Sequence, residues 1–170
     1  MNETVLDFFM LVITYLGDYI LILSLTALSA LSFLAHKHWH RILPLFISVG
    51  GSSLSVFWLK YFFNLPRPLE AFYLEQTPSF PSMHASLAIA FYGFIFYVIW
   101  KHDKHYLKKS LGIFLVLIII LIGMSRLYLE VHYLFDVLVG YLIGIIWLGI
   151  SIFTNNKIEK LLIWKLISRN

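Results

Sequence analysis

The sequence predicts an all-α fold: a polytopic transmembrane helical bundle of about five spans, six if the N-terminal stretch also crosses, led by an interfacial helix. Three observations carry this. Of 170 residues, 60% are hydrophobic and 13% charged, where a soluble domain carries about a quarter. Mean hydropathy is +0.83. The charges are also segregated, leaving five uncharged runs at 19–35, 42–59, 85–100, 110–124 and 137–156. With its flanks, each run reaches the ~20 residues that cross ~30 Å of hydrocarbon. Lipid offers backbone N–H and C=O groups no partner, so each run must be a helix.

The stretch LDFFMLVITYLGD (6–18) is apolar between Asp7 and Asp18. Residues 3–35 are too many for one span and too few for two, so we read an interfacial helix ending at Gly17. No basic segment or small-residue cleavage site marks a leader. There is no cysteine, which excludes disulfides and thiolate metal sites. Without repeats or composition breaks, 1–170 reads as one domain. Nothing suggests a nucleic-acid partner.

The connections alternate in charge. HKHWHR (36–41), KHDKHYLKK (101–109) and the tail from Lys157 hold ten of the thirteen Lys and Arg residues. The positive-inside rule assigns them to the cytoplasm. His36, His38, His40, His102 and His105 belong to these clusters and are not read as metal ligands. The tail is expected to form a basic amphipathic helix on the inner surface. The remaining cations, Lys60, Arg67 and Arg126, and the remaining histidines, His84 and His132, fall at the opposite ends of the spans. Orientation cannot explain them. Charge near hydrocarbon is expensive and usually functional, so three cations on one side suggest an anionic ligand.

Three segments carry these residues. In KYFFNLPRP (60–68), Pro66 and Pro68 disfavour further helix and constrain Arg67 between them. An arginine fork suits two phosphate oxygens, and a lysine adds a point charge. Alone, the segment reads equally as a snorkelling Lys60 and an Arg67–Glu70 pair. In PSFPSMHAS (78–86), Ser82 is a natural N-cap. The free N–H groups of that first turn, near Met83 and His84, form an anion site. In SRLYLEVHYLFD (125–136), His132 and Asp136 are expected to begin the fifth span at i and i+4, on the same helix face. The carboxylate then holds one ring nitrogen and leaves the other free to attack.

The spacings K-x6-RP, PSxH and SR-x5-H-x3-D occur in that order over 60–136. Together they resemble the signature of the type-2 phosphatidic acid phosphatase superfamily, most closely its small bacterial integral-membrane lipid phosphatases. The resemblance implies that Lys60, Arg67 and Arg126 hold phosphate oxygens. Ser82 and the amides near Met83 and His84 would complete the cradle. His132 would attack phosphorus to give a phosphohistidine, and Asp136 would orient it. His84 would protonate the leaving group and then activate water. Ser125 would give a supporting hydrogen bond. No metal or other cofactor is expected.

Two features depart from the family pattern. Met83 stands where glycine is usual, and six spans are common there. Candidate substrates are phosphatidylglycerophosphate, phosphatidate and undecaprenyl diphosphate; an extracytoplasmic site favours the last. Phosphoryl transfer to another lipid, or lipid binding without catalysis, are the alternatives. Tyr61, Phe62, Phe63, Phe72 and Tyr73 suit lipid contact or an interfacial belt. Gly140 and Gly144 let a helix approach closely, within one subunit on our reading, so a monomer in the bilayer is expected.

Overall fold

The computed structural model describes residues 4–73, 75–102 and 106–168. Every regular element in them is helical. In order these are α1 (Val5–Tyr15), α2 (Tyr19–Ala35), α3 (Ile42–Phe63), α4 (Met83–Ala88), α5 (Phe94–His102), α6 (Tyr106–Tyr128) and α7 (Leu134–Ile167). A turn of π-helix, Ile89–Gly93, joins α4 to α5.

Four segments are long and apolar enough to cross a membrane: Trp39–Phe63, Met83–Lys101, Ser110–Tyr128 and Leu134–Lys165. The α1–α2 pair supplies a fifth when counted as one span bent by 47°. The bend follows from local chemistry. The Asp18 carboxylate accepts from the Ile20 and Leu21 amides and restarts the helix. Tyr92 donates to the Leu16 carbonyl that the break leaves free (2.7 Å). Gly17 is needed for closeness: a Cβ there would lie 2.7 Å from Ile122 Cγ2 and 3.3 Å from His84 Cβ. α1 therefore docks beside α6, and Asp7 accepts from Tyr128 at 2.9 Å.

Ile22, Leu45, Leu87, Phe91, Phe94 and Ile122 form the buried centre. The π-turn crosses it. Such a turn leaves carbonyls without helical partners, and lipid cannot supply donors. Ser48 on α3 donates to Ala90 O at 2.8 Å. α7 meets α4 along Gly140 and Gly144. A Cβ on Gly140 would stand 2.6 Å from Ser82 O, and one on Gly144 2.6 Å from Ser86 O. The helix these glycines admit belongs to the same chain.

One expectation is corrected. The tail is not a separate surface helix, because α7 runs unbroken for 34 residues. No glycine or proline interrupts 157–167, and lysine, glutamate and leucine favour continuation. At 1.5 Å per residue the helix is about 51 Å long, well beyond the hydrocarbon. The reading of His102 and His105 lies outside the described side chains.

Candidate active site

The three motif segments meet at one end of the bundle. α3 closes on Asn64, whose left-handed conformation (φ 46°) turns the chain out of the helix. The turn starts the long connection 64–82, which folds back over the helix ends. Ser79 N–H donates to Leu65 O (2.9 Å), and Phe72 N–H to Leu129 O (3.0 Å). Ser82 N–H donates to Asp136 O (3.0 Å), which ties the start of α4 to the start of α7. The Ser82 hydroxyl caps α4 by accepting from Ala85 N–H.

His132 and Asp136 do pair, but not on one helix face. His132 precedes α7, which begins at Leu134. Asp136 is the third residue of that helix, and its carboxylate reaches back. Oδ2 accepts from Tyr133 N–H (3.0 Å) and lies 3.3 Å from His132 Nδ1. The i, i+4 spacing fits this backward reach as well as it fits a helical face. Ser79 adds a donor: its hydroxyl bonds the same Oδ2 and lies 3.4 Å from His132 Nδ1.

The other imidazole nitrogen, Nε2, faces Arg67 Nη1 at 3.3 Å. A guanidinium can only donate, so Nε2 carries the lone pair and Nδ1 the proton directed at Asp136. Burial first, then the Arg126, Arg67 and Lys60 charges, outweigh the raising effect of Asp136 and push the His132 pKa down to about 4. The ring is therefore neutral at pH 7.

The three cations are fixed by different means. Lys60 is buried and donates to the Pro78 and Ser79 carbonyls. Arg67 is held by Thr77 O (2.8 Å), Val131 O (2.7 Å) and Thr77 Oγ1 (3.2 Å). Arg126 has no exposed surface. Its Nη1 donates to Thr14 Oγ1 (2.7 Å) and to the Tyr73 hydroxyl.

Glu75 links the two arginines. Its Oε2 pairs with Arg67 Nη2 and its Oε1 with Arg126 Nη2, so Arg67 does not take Glu70. Burial pushes the Glu75 carboxyl up, but the Arg126 and Arg67 charges win and hold its pKa below the ordinary carboxylate value. Glu75, Ser79 and Thr14 escaped the sequence reading, which took Tyr73 as a lipid-contact or belt residue rather than a partner of Arg126. Only Glu75 left a signal: three cations at a lipid boundary need counter-charge, and the 64–81 connection offers Glu70 and Glu75.

A cavity of about 560 Å³ opens onto this cluster. Lys60, Glu75, His84 and His132 face it, and Met83 adjoins them. Tyr19, Leu54 and Phe57 extend it as an apolar groove between α2 and α3. The His84 ring makes no hydrogen bond to any described residue and also lines a second cavity of about 300 Å³ beside Tyr73 and Asp18. Ser125 lies apart: its hydroxyl donates to Ile122 O (2.7 Å) in its own helix.

The site thus places a neutral imidazole, oriented by a carboxylate, beside three cations, a helix start and a second imidazole. Comparison with known proteins agrees with this reading of the fold. The sequence profile of the PAP2 superfamily matches residues 19–159. Phosphatidylglycerophosphatase B of Bacillus subtilis (strain 168) is 35% identical over 140 residues, 79% of this chain and 68% of that protein. The crystal structure of the transmembrane PAP2-type phosphatidylglycerolphosphate phosphatase from Bacillus subtilis superposes with a TM-score of 0.82 at 30% identity, covering 92% of this chain and 80% of the other. Aquifex aeolicus LpxE gives a TM-score of 0.72 at 29% identity, covering 89% and 87%. The chain belongs to the PAP2 superfamily and is a multi-pass membrane phosphatase.

Proposed function

We propose that this phosphatase removes the terminal phosphate of a lipid at the extracytoplasmic face through a phosphohistidine on His132. The observation that carries the reading is the orientation of His132: Nδ1 against Asp136 and Nε2 toward Arg67 and the cavity. Nε2 attacks phosphorus as the P–O bond to the lipid breaks. His84, in its protonated form, gives the leaving oxygen its proton. Asp136 steadies the positive charge that forms on the ring. Lys60, Arg67 and Arg126, with Ser82 and the amides at Met83 and His84, hold the phosphate oxygens and stabilise the charge gathering there. Water then attacks the phosphohistidine, His84 takes its proton, and inorganic phosphate leaves. Ser125 supports the end of α6.

The apolar groove supports a lipid substrate. A phosphate seated at the histidines leaves its tail between Tyr19, Leu54 and Phe57, at the depth of the spans. The basic clusters at the other end of the bundle support an outward-facing site. Similarity to phosphatidylglycerophosphatase B puts phosphatidylglycerophosphate first for testing, ahead of undecaprenyl diphosphate and phosphatidate.

The test is phosphate release by purified protein in nanodiscs, with chelator present, across these three lipids. At least one should be hydrolysed, and wild-type protein quenched in mid-turnover should carry an acid-labile phosphoryl group. His132→Ala should lack both. Normal turnover by His132→Ala ends the reading.

A further inference from the structure

The carboxylate of Glu75 lies between the two guanidinium groups that the proposed mechanism gives to the phosphate. One oxygen meets Arg67 and the other Arg126. Arg67 also touches the attacking nitrogen of His132. Glu75 faces the same cavity as both histidines, and it also lines the loop-side cavity of about 400 Å³ beneath Pro66 and Pro68. It therefore stands at the boundary between the seat and a space into which its side chain can withdraw. Resting on the proposed phosphatase reading, we propose that Glu75 is an internal competitor for the phosphate seat, displaced by a terminal phosphate but not by a phosphodiester.

Charge and oxygen count carry the argument. A carboxylate offers the arginines two oxygens and one negative charge. A phosphodiester offers the same, so exchanging one for the other gains nothing. A terminal phosphate offers three oxygens and a charge of about −1.5 to −2. Its extra charge and third oxygen reach Lys60 and the start of α4, which Glu75 leaves unengaged. The problem this solves is set by the surroundings. The groove opens among bilayer phospholipids, whose phosphates are diesters in vast excess over any substrate. An empty seat with three cations would bind them. With Glu75 in place, one of the two arginine charges is cancelled and both forks are engaged until a ligand with more charge arrives. Discrimination of this kind works against the wrong partner as much as for the right one.

The experiment compares wild-type, Glu75→Gln and Glu75→Asp protein, with inorganic phosphate and dimethyl phosphate as probes. The carboxamide has no charge, and aspartate is one methylene too short to span both arginines. Binding is read twice: as inhibition of turnover, and as protection against thermal unfolding in the His132→Ala background, where no turnover is needed. Wild type should respond to inorganic phosphate and ignore dimethyl phosphate. Glu75→Gln should bind dimethyl phosphate at least about tenfold more tightly than wild type, the factor of one interaction of ~1.4 kcal/mol. Glu75→Asp should fall between. In nanodiscs, raising phosphatidylglycerol at the expense of a neutral glycolipid should inhibit Glu75→Gln and spare wild type. If dimethyl phosphate affects all three proteins equally, or none, Glu75 is only a brace for the arginines and the proposal is wrong. Because the protection assay ignores chemistry, it stands or falls independently of His132 as nucleophile.

Discussion

At the end of the bundle that we propose faces outward, the outer end, Glu75 joins Arg67 to Arg126. At the opposite, inner end Glu159 joins Lys101 to His40, at 2.6 and 3.7 Å. The two clusters look alike as lists of residues and differ in construction. The inner groups project mainly from helices and bond one another: Asn155 donates to Tyr97 (3.1 Å) and to Glu159 (2.9 Å), and Lys101 to Tyr97 (3.0 Å). A cavity of about 580 Å³ lies beside them, but among the described residues Lys101 is the one charged group lining it. The outer groups come largely from the 64–82 connection and the turn before α7. They leave two imidazoles and a lysine facing a cavity. Ion pairing alone therefore does not distinguish a site from a brace. Convergence of loop-borne groups on an accessible space does.

The sharpest way to break that contrast is at Arg126. Its guanidinium is fully buried and serves Thr14, Tyr73 and Glu75. Arg126→Ala leaves Glu75 with Arg67 as its remaining arginine and takes a donor from Glu75 Oε1, Thr14 and Tyr73, which should destabilise the fold by ~1–3 kcal/mol. Turnover of the protein that remains folded should drop by about 10²–10³. Denaturant titration and phosphate release measure the two separately. Lost stability with intact turnover would make the outer cluster as structural as the inner one.

Glycine substitutions probe how closely the site depends on helix packing. A Cβ at Gly140 would press on Ser82 O at 2.6 Å and on Ala85 Cβ at 3.1 Å. Gly140→Ala should push α4 from α7, loosen the Ser82–Asp136 tie, and destabilise by ~1–3 kcal/mol. Its KM should rise, because the cradle at the start of α4 moves. Nothing lies within 4 Å of a Cβ at Gly149, so Gly149→Ala on the same helix should leave KM alone. Equal effects from the two would dissolve the link between packing and site.

Much of this was legible in the sequence, for reasons that mark where legibility stops. The spans were visible because lipid forbids charge in their middles, and α3, α6 and α7 lie where the uncharged runs fall. The motif residues were visible because their spacing is local. Glu75, Ser79, Thr14 and the bond of Tyr73 to Arg126 were not. Each acts across a long sequence separation, as Thr14 does with Arg126, and no local pattern encodes such a pairing. His132 shows a subtler failure. Spacing gave the right partner with the wrong geometry, because a helix N-terminus lets an acid in its first turn reach back past the helix start. The tail was misjudged because a basic amphipathic pattern is the same whether a helix lies on the surface or continues a span.

The pH response separates the ends further. Burial takes the His132 pKa from 6.5 to about 4 in the folded protein. Between those values the unfolded chain binds a proton that the folded chain refuses. The corresponding stability is complete above pH 6.5 and is lost as pH falls toward 4, by at most ~3.5 kcal/mol at ~1.4 kcal/mol per unit. His132→Asn, which cannot titrate, should flatten the stability profile over that window. Melting temperatures at pH 4.5 and 7 suffice. An unchanged slope means that other groups dominate acid sensitivity and that His132 is less enclosed than its contacts suggest.

The smallest effect is expected at the inner end. Lys101 pairs with Glu159 but is exposed, so its ion pair is screened by water and salt and contributes about 0–1 kcal/mol. Lys101→Ala should therefore lower stability within that range and leave turnover within about twofold of wild type. The same substitution removes a cation that, on the positive-inside argument, helps to orient the chain. Six basic residues in the first and last inner segments remain to do so even before the 104–109 lysines are considered: Lys37, Arg41, Lys157, Lys160, Lys165 and Arg169. Topology should therefore hold. A large loss of turnover in a correctly inserted, stable Lys101→Ala protein would show the inner cluster acting on the outer one through α7, whose single unbroken helix carries both Asp136 and Glu159. That result would replace a contrast between two ends with a coupling between them.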